Sequence, residues 1–212
     1  EPGANLESLG QLLRTTPYLK PGSDLVSLMV LEHQSQMHNL ITRASFETRR
    51  ANYHDAVMNA ALKRSEDYIS ESTGRRISSA AEKLIEYLLF SDEFQLNSPV
   101  AGTSDFAREF SSRGPRDGQG RSLRDFDLQT RLFRYPCSFL IYSEAFDAMP
   151  QPMLDVVYSR LVEILAVAPK PTDEESPFAH LSKTDRTAIR EILTETKPAF
   201  RRRLAAISIA TP

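Results

Sequence analysis

Between Asp24 and Thr73 the chain carries neither proline nor glycine, an interval in which nothing local forces a helix to stop. Gly22-Ser23-Asp24 supplies a turn residue and two N-cap candidates at its start, and the pattern predicts a single helix from Asp24 to about Lys63. Forty helical residues reach about 60 Å, so the other elements must pack along this rod or at its ends. Steps of three and four from Val26 collect Met29, His33, Met37, Leu40, Ala44, Glu47, Ala51, His54, Met58 and Leu62, one helical face that starts apolar and then admits two histidines and a glutamate. Arg43-Ala44-Ser45-Phe46 is echoed as Arg50-Ala51-Asn52-Tyr53. The echo predicts a small-residue groove for a second helix, with an aromatic and a basic stripe beside it.

A partner follows directly. Ser70, Ser72 and Thr73 are caps for a helix over residues 75–90, in which Ile77, Ala80, Ala81, Leu84, Ile85, Leu88 and Leu89 share a face. Short helices are predicted at 104–110 and, from the Ser122-Leu123-Arg124-Asp125 capping pattern, at 125–133, with Gly- and Arg-rich loop between them. Buried helices at 138–148 and 153–168 precede an acidic Pro-rich stretch. Ser182 with Asp185 caps the next helix, and Pro198 separates it from a last one over 200–209.

No segment alternates with period two, so the fold class is all-α: an irregular helical bundle around one long N-terminal helix, with a loop-rich insertion. Its divisions are an N-terminal arm (1–22), a long helical hairpin (23–92), the insertion (93–136), a helical pair (137–168), an acidic linker (169–180) and C-terminal helices (181–212), all within one domain. The arm carries an amphipathic piece from Leu6 to Leu13, expected to pack on the helices.

The formal charge of −2 gives no argument for nucleic acid as a partner, and no apolar run reaches the eighteen residues of a membrane span. The opening Glu1-Pro2-Gly3, without Met, reads as a mature or truncated product. One cysteine excludes Cys-x-x-Cys-His and with it covalent c-type haem in this chain. Cys137 lies among Tyr135, Phe139 and Leu140, an apolar setting that makes a thiol inert. Glu-x-x-His, His-Glu-x-x-His, Gly-x-Ser-x-Gly, Ser-x-x-Lys and phosphate-binding Gly loops are missing.

Two constellations remain. His33, Met37, His54 and Met58 share the long helix's mixed face and His38 lies nearby on another; His and Met are axial ligands of haem iron, so this face is a candidate haem or metal site. The alternative is that the methionines fill core and the histidines bond to neighbours. The second is the loop, where seven arginines from Arg108 to Arg134 face Glu109, Asp117, Asp125 and Asp127. Arg113, Arg116, Arg121 and Arg124, with Gly114, Gly118 and Gly120 opening the backbone, are candidates for holding an anion or a partner. The alternative is that these arginines pair with the local aspartates. The run Arg201-Arg202-Arg203 is expected to satisfy a helix end.

Four strings, namely 23–34 with Met37-His38-Asn39, Gly102-Thr103-Ser104, 113–117 leading into 121–128, and Arg134-Tyr135-Pro136-Cys137 through Ser143, resemble an uncharacterised group of secreted bacterial proteins of planctomycete and proteobacterial type. The resemblance spans roughly residues 17–165. Longer members place this region after a cytochrome c-like segment, so the resemblance implies a periplasmic or secreted setting, a redox-protein partner, and any covalent haem upstream of Glu1. It assigns no catalytic residue. The function expected is a non-catalytic helical docking module of a larger exported, redox-associated protein. The alternatives are a haem- or metal-binding protein using the His/Met face, and an enzyme holding an anionic substrate on the loop arginines.

Overall fold

The computed structural model describes residues 8, 10–17, 22–166 and 176–210. Among these it is all-α: seven α-helices and one 3-10 turn, with a lone antiparallel bridge between Phe126 and Phe133 in place of any strand. Among the described residues no helix is long and apolar enough to cross a membrane.

Helix α1 runs Leu25–Leu62, 38 residues or about 57 Å. Asp24 caps it by accepting from the Ser27 N–H at 2.9 Å, and Lys63 closes it in the left-handed region at φ 52°. Its buried stripe is Val26, Val30, His33, Met37, Ile41, Ala44, Thr48, Ala51, Asp55 and Asn59. The predicted face agrees with this at Val26, His33, Met37, Ala44 and Ala51 and then slips by one residue, leaving His54, Met58 and Leu62 exposed. The cause is the turn beyond the helix. Asp55 accepts from the Ser70 N–H and hydroxyl at 2.8 and 2.7 Å, and Asn59 donates to the Tyr68 carbonyl at 2.8 Å, so the polar residues face inward to satisfy backbone that the turn leaves open.

Ser70 caps α2, Glu71–Leu88, one turn earlier than the apolar pattern starts. The two helices form a hairpin. Thr73 Oγ1 donates to the Ala51 carbonyl at 3.3 Å, a close approach that the alanine echo permits, while Phe46 and Tyr53 of the same echo face solvent.

The C-terminal half completes the core. Helix α5, Gln151–Ala166, lies between α2 and two later helices, α6 at Lys183–Thr196 and α7 at Pro198–Ala210. Leu84, Leu88, Val157, Leu161, Ile189, Ile192 and Phe200 interlock there with almost no exposure. Ser182 and Asp185 form the expected capping box of α6. Arg186 is buried beneath it, donating to the Leu181, Ile164 and Phe178 carbonyls and so satisfying the end of α5. Arg201, Arg202 and Arg203 fall in the early turns of α7, where Arg203 donates to Ser159 Oγ at 2.8 Å.

Five expectations change elsewhere. The short helix α3 is Phe106–Ser112, displaced two residues toward the loop. No helix forms at 125–133: the Asp125 carboxylate accepts from the Ser122 N–H at 2.9 Å and closes a tight loop, and Phe126 stacks on Phe133 at 5.3 Å. The 138–148 helix is a 3-10 turn, Phe139–Tyr142, followed by one helical turn, α4, Glu144–Asp147. The described part of the arm, residues 8, 10–17 and 22, is not helical and exposes Leu12 and Leu13, and most of the acidic stretch lies outside the described residues. Its described end is not a loose linker, because Phe178 is buried and His180 reaches the Leu89 carbonyl at 2.8 Å.

Candidate functional site

The C-terminus of α2 is built in an unusual way. The Ser91 N–H bonds to the Glu86 carbonyl at 2.9 Å and the Phe90 N–H to the Tyr87 carbonyl at 3.2 Å, the paired bonds of a Schellman motif. That motif needs a left-handed residue, for which glycine is the usual choice. Here it is Phe90, at φ 59°, and Asp92 follows at φ 60°. A bulky side chain in that region costs about 1–2 kcal/mol.

The strain has a visible product. Phe90 stacks on the His33 ring at 4.6 Å with planes 15° apart, and Tyr87 lies against the same ring at 5.2 Å and 11°. The imidazole Nε2 is 2.7 Å from Ser138 Oγ, a bond in which either partner can donate. Burial pushes the His33 pKa down to about 4, so the ring is neutral at pH 7. The Tyr87 hydroxyl is pushed up to about 12, first by burial and then by the Glu32 charge.

Over this stack lies an open groove of about 560 Å³, between the first two turns of α1 and the 90–96 segment. Leu25, Leu28, Met29 and Phe94 supply apolar walls, with Phe94 75% exposed. Glu32, Asp92 and Glu93 supply carboxylates; among the described residues no lysine or arginine lines the groove. Glu93 accepts from the Leu132 N–H at 3.1 Å, and burial raises its pKa above the ordinary carboxylate value. Ser91, between the two left-handed residues, holds a buried hydroxyl that has no hydrogen-bond partner among the described residues. Volume and lining are those of a small-ligand site: apolar walls, aromatic faces, and charge of one sign.

The residues singled out by sequence do not all converge here. His33 and Met37 are in the core, His38 is half-buried on another face, and His54 and Met58 lie toward the far end of α1, with His54 about 30 Å along the axis from His33. Among the described residues no three His, Cys, Asp or Glu side chains group closely enough to hold a metal ion. Ser138 is fully buried beneath His33, out of reach of any substrate in the groove. Cys137 is buried as well, and burial pushes its thiol pKa far up, which removes it as a nucleophile at neutral pH.

The loop arginines divide. Arg116 donates to the Ser111 and Gly120 carbonyls and to Asp125, at 2.6, 2.5 and 2.9 Å. Arg121 bridges Asp117 and Glu191 of α6, each at 2.7 Å. These two hold the loop together and fasten it to the bundle. Arg113 is exposed and Arg124 lies half-buried against Phe110 and Phe139.

Sequence reasoning missed Tyr87, Phe90 and Glu93. The signal available was the absence of Gly, Pro or Asn after Leu89, where a helix stops without a residue suited to stopping it. No family model matches the chain, and no curated protein or solved structure matches it either.

Proposed function

We propose that the chain is a non-catalytic helical binding module, and that the groove over His33 takes an apolar ligand or side chain bearing a positive charge. The observation that carries this reading is the Phe90 backbone, held left-handed so that its ring covers a neutral imidazole under an open groove rimmed by Glu32, Asp92 and Glu93. Strain of this kind persists where the surroundings and a function maintain it. Aromatic faces and the Glu32 and Asp92 carboxylates both favour a cation. An exported, redox-associated protein is the setting we take from the resemblance, with the groove as the surface offered to a partner.

The test compares hexylammonium, hexanol and hexanoate, equal in apolar length and different in charge, by ¹H–¹⁵N chemical-shift titration of the wild-type protein. Hexylammonium shifts the amides of Met29, His33 and 90–94 with millimolar affinity, about −4 kcal/mol, hexanol shifts them less, and hexanoate not at all. No shift at these residues from any of the three refutes the reading.

A further inference from the structure

Arg124 is held in place with care, and its guanidinium then donates to no oxygen among the described residues. Its guanidinium carbon lies 4.6 Å from the Phe110 ring and 4.6 Å from the Phe139 ring, two rings set at 86° to each other with centroids 4.9 Å apart. The backbone is pinned on both sides, the Arg124 carbonyl accepting from Ser111 Oγ at 3.0 Å and the Arg124 N–H reaching Ser122 Oγ at 3.2 Å. Gly114, at φ 95°, passes so close that a Cβ there would stand 3.0 Å from both Cδ and Nε of the side chain. Rings, backbone and glycine together fix one orientation of a planar fork.

The electrostatics run against this placement. Burial, and then the charge of Arg113, both lower the Arg124 pKa, so the cation sits where desolvation and a like charge oppose it. Of the other arginines in the insertion, Arg116 and Arg121 bond as described, Arg131 pairs with Asp185 at 2.7 Å, Arg108 pairs with Asp105 at 2.9 Å, and Arg134 is exposed beside the Tyr135 ring. Arg113 reaches only Glu109, at 3.9 Å, with both side chains largely exposed, a contact that contributes little. A guanidinium carries five N–H donors in a rigid plane that matches the two oxygens of a carboxylate or phosphoryl group.

We propose that Arg113 and Arg124 form a site for a small oxyanion group, in which Arg124 is the fixed fork and Arg113 the exposed arm that adds a second cation from the solvent side. The glycine at 114 serves this site by clearing the fork. The site is separate from the groove over His33, whose lining includes none of Arg113, Arg124, Phe110 and Phe139.

Inorganic phosphate and acetate are titrated against chloride at constant ionic strength, with the amides of Gly114 and Arg124 and the Arg124 Nε–H as reporters. The two arms separate a phosphoryl source from a carboxylate source. Saturable shifts at these three signals are expected with one or both anions. Arg124→Lys keeps the charge but loses the fork and the ring contacts, and weakens binding about tenfold. Arg113→Ala, at a side chain 72% exposed, leaves the fold intact and also weakens it about tenfold. Shifts that grow linearly without saturation, or affinities unchanged in Arg113→Ala, overturn the proposal; the second criterion holds even if Arg124→Lys fails to fold.

Discussion

Neutral His33 should make this protein lose stability as the medium turns acidic, well before its carboxylates titrate. In the folded state burial holds the imidazole pKa at about 4; in the unfolded chain it returns to the ordinary value of about 6.5. Below pH 6.5 the unfolded state therefore binds a proton that the folded state refuses, which means stability falls as pH falls and the loss is complete only below pH 4. A difference of about 2.5 pKa units is worth about 3 kcal/mol in all, and about 2 kcal/mol of it is spent between pH 7.5 and 5.0. For a chain of this length that is about 4–8 °C in melting temperature. The carboxylates of Asp24, Asp117, Asp127 and Asp185, all held below their ordinary value, lose their contributions at lower pH still, and Glu93, raised by burial, pushes the other way. Urea unfolding at pH 7.5, 6.5, 5.5 and 5.0 is compared in wild type and in His33→Gln, whose amide keeps a polar atom near Ser138 but cannot titrate. The variant starts less stable because it lacks the stacking, and its curve against pH is flatter by about 2 kcal/mol. Parallel curves would show that His33 is not the buried neutral group described.

Two further outcomes follow from other parts of the fold. The Asp24 carboxylate caps α1 and also accepts from the Ser104 N–H and hydroxyl at 2.9 and 2.6 Å, while a Cβ at Gly102 would stand 2.7 Å from its Oδ2. Asp24→Ala should cost about 2 kcal/mol, Gly102→Ala should also destabilise, and in the double variant the two costs should fall well short of adding; additive losses in denaturant midpoints would break the link between them. Haemin offered to the purified protein should give no six-coordinate Soret band that depends on His33, because the ring is only 4% exposed and its Nε2 is engaged with Ser138; a band present in wild type and lost in His33→Gln would restore the haem reading of that face.

Helices α2, α5 and α6 were legible because local and global signals agree in each: a capping serine or an early proline, a clean apolar period, and a partner close by in the chain. The long helix was legible as a helix but not as a face. Beyond Ala51, the stripe through His54 and Met58 and the stripe through Asp55 and Asn59 differ by one residue, and apolarity alone favours the wrong one. Only the turn at 63–70, whose backbone donors and carbonyls need those two polar side chains, decides between them. The 125–133 segment failed for a related reason. Ser-x-x-Asp is a helix cap when the next residues are free to coil and a loop clamp when they are held apart, and here the stacking of Phe126 on Phe133 holds them.

The arginines make a sharper case for what a sequence leaves open. Arg113, Arg116, Arg121 and Arg124 look equivalent in the string, four cations in a glycine-rich loop. Folding sorts them by their surroundings. Arg121 finds Glu191 seventy positions away, Arg116 finds two carbonyls and Asp125, and Arg124 finds two phenylalanine rings that attract a cation by their faces but accept none of its hydrogen bonds in a fork. The same logic picks out His33 among the histidines: its ring is placed by Tyr87, Phe90 and Ser138 and left neutral, whereas His54 of the same predicted face points to water. In both instances the residue that merits attention is one whose position is over-determined by packing relative to what it bonds to. At Phe90 the backbone itself carries that cost, since glycine would close the same helix end without strain but would leave the imidazole uncovered.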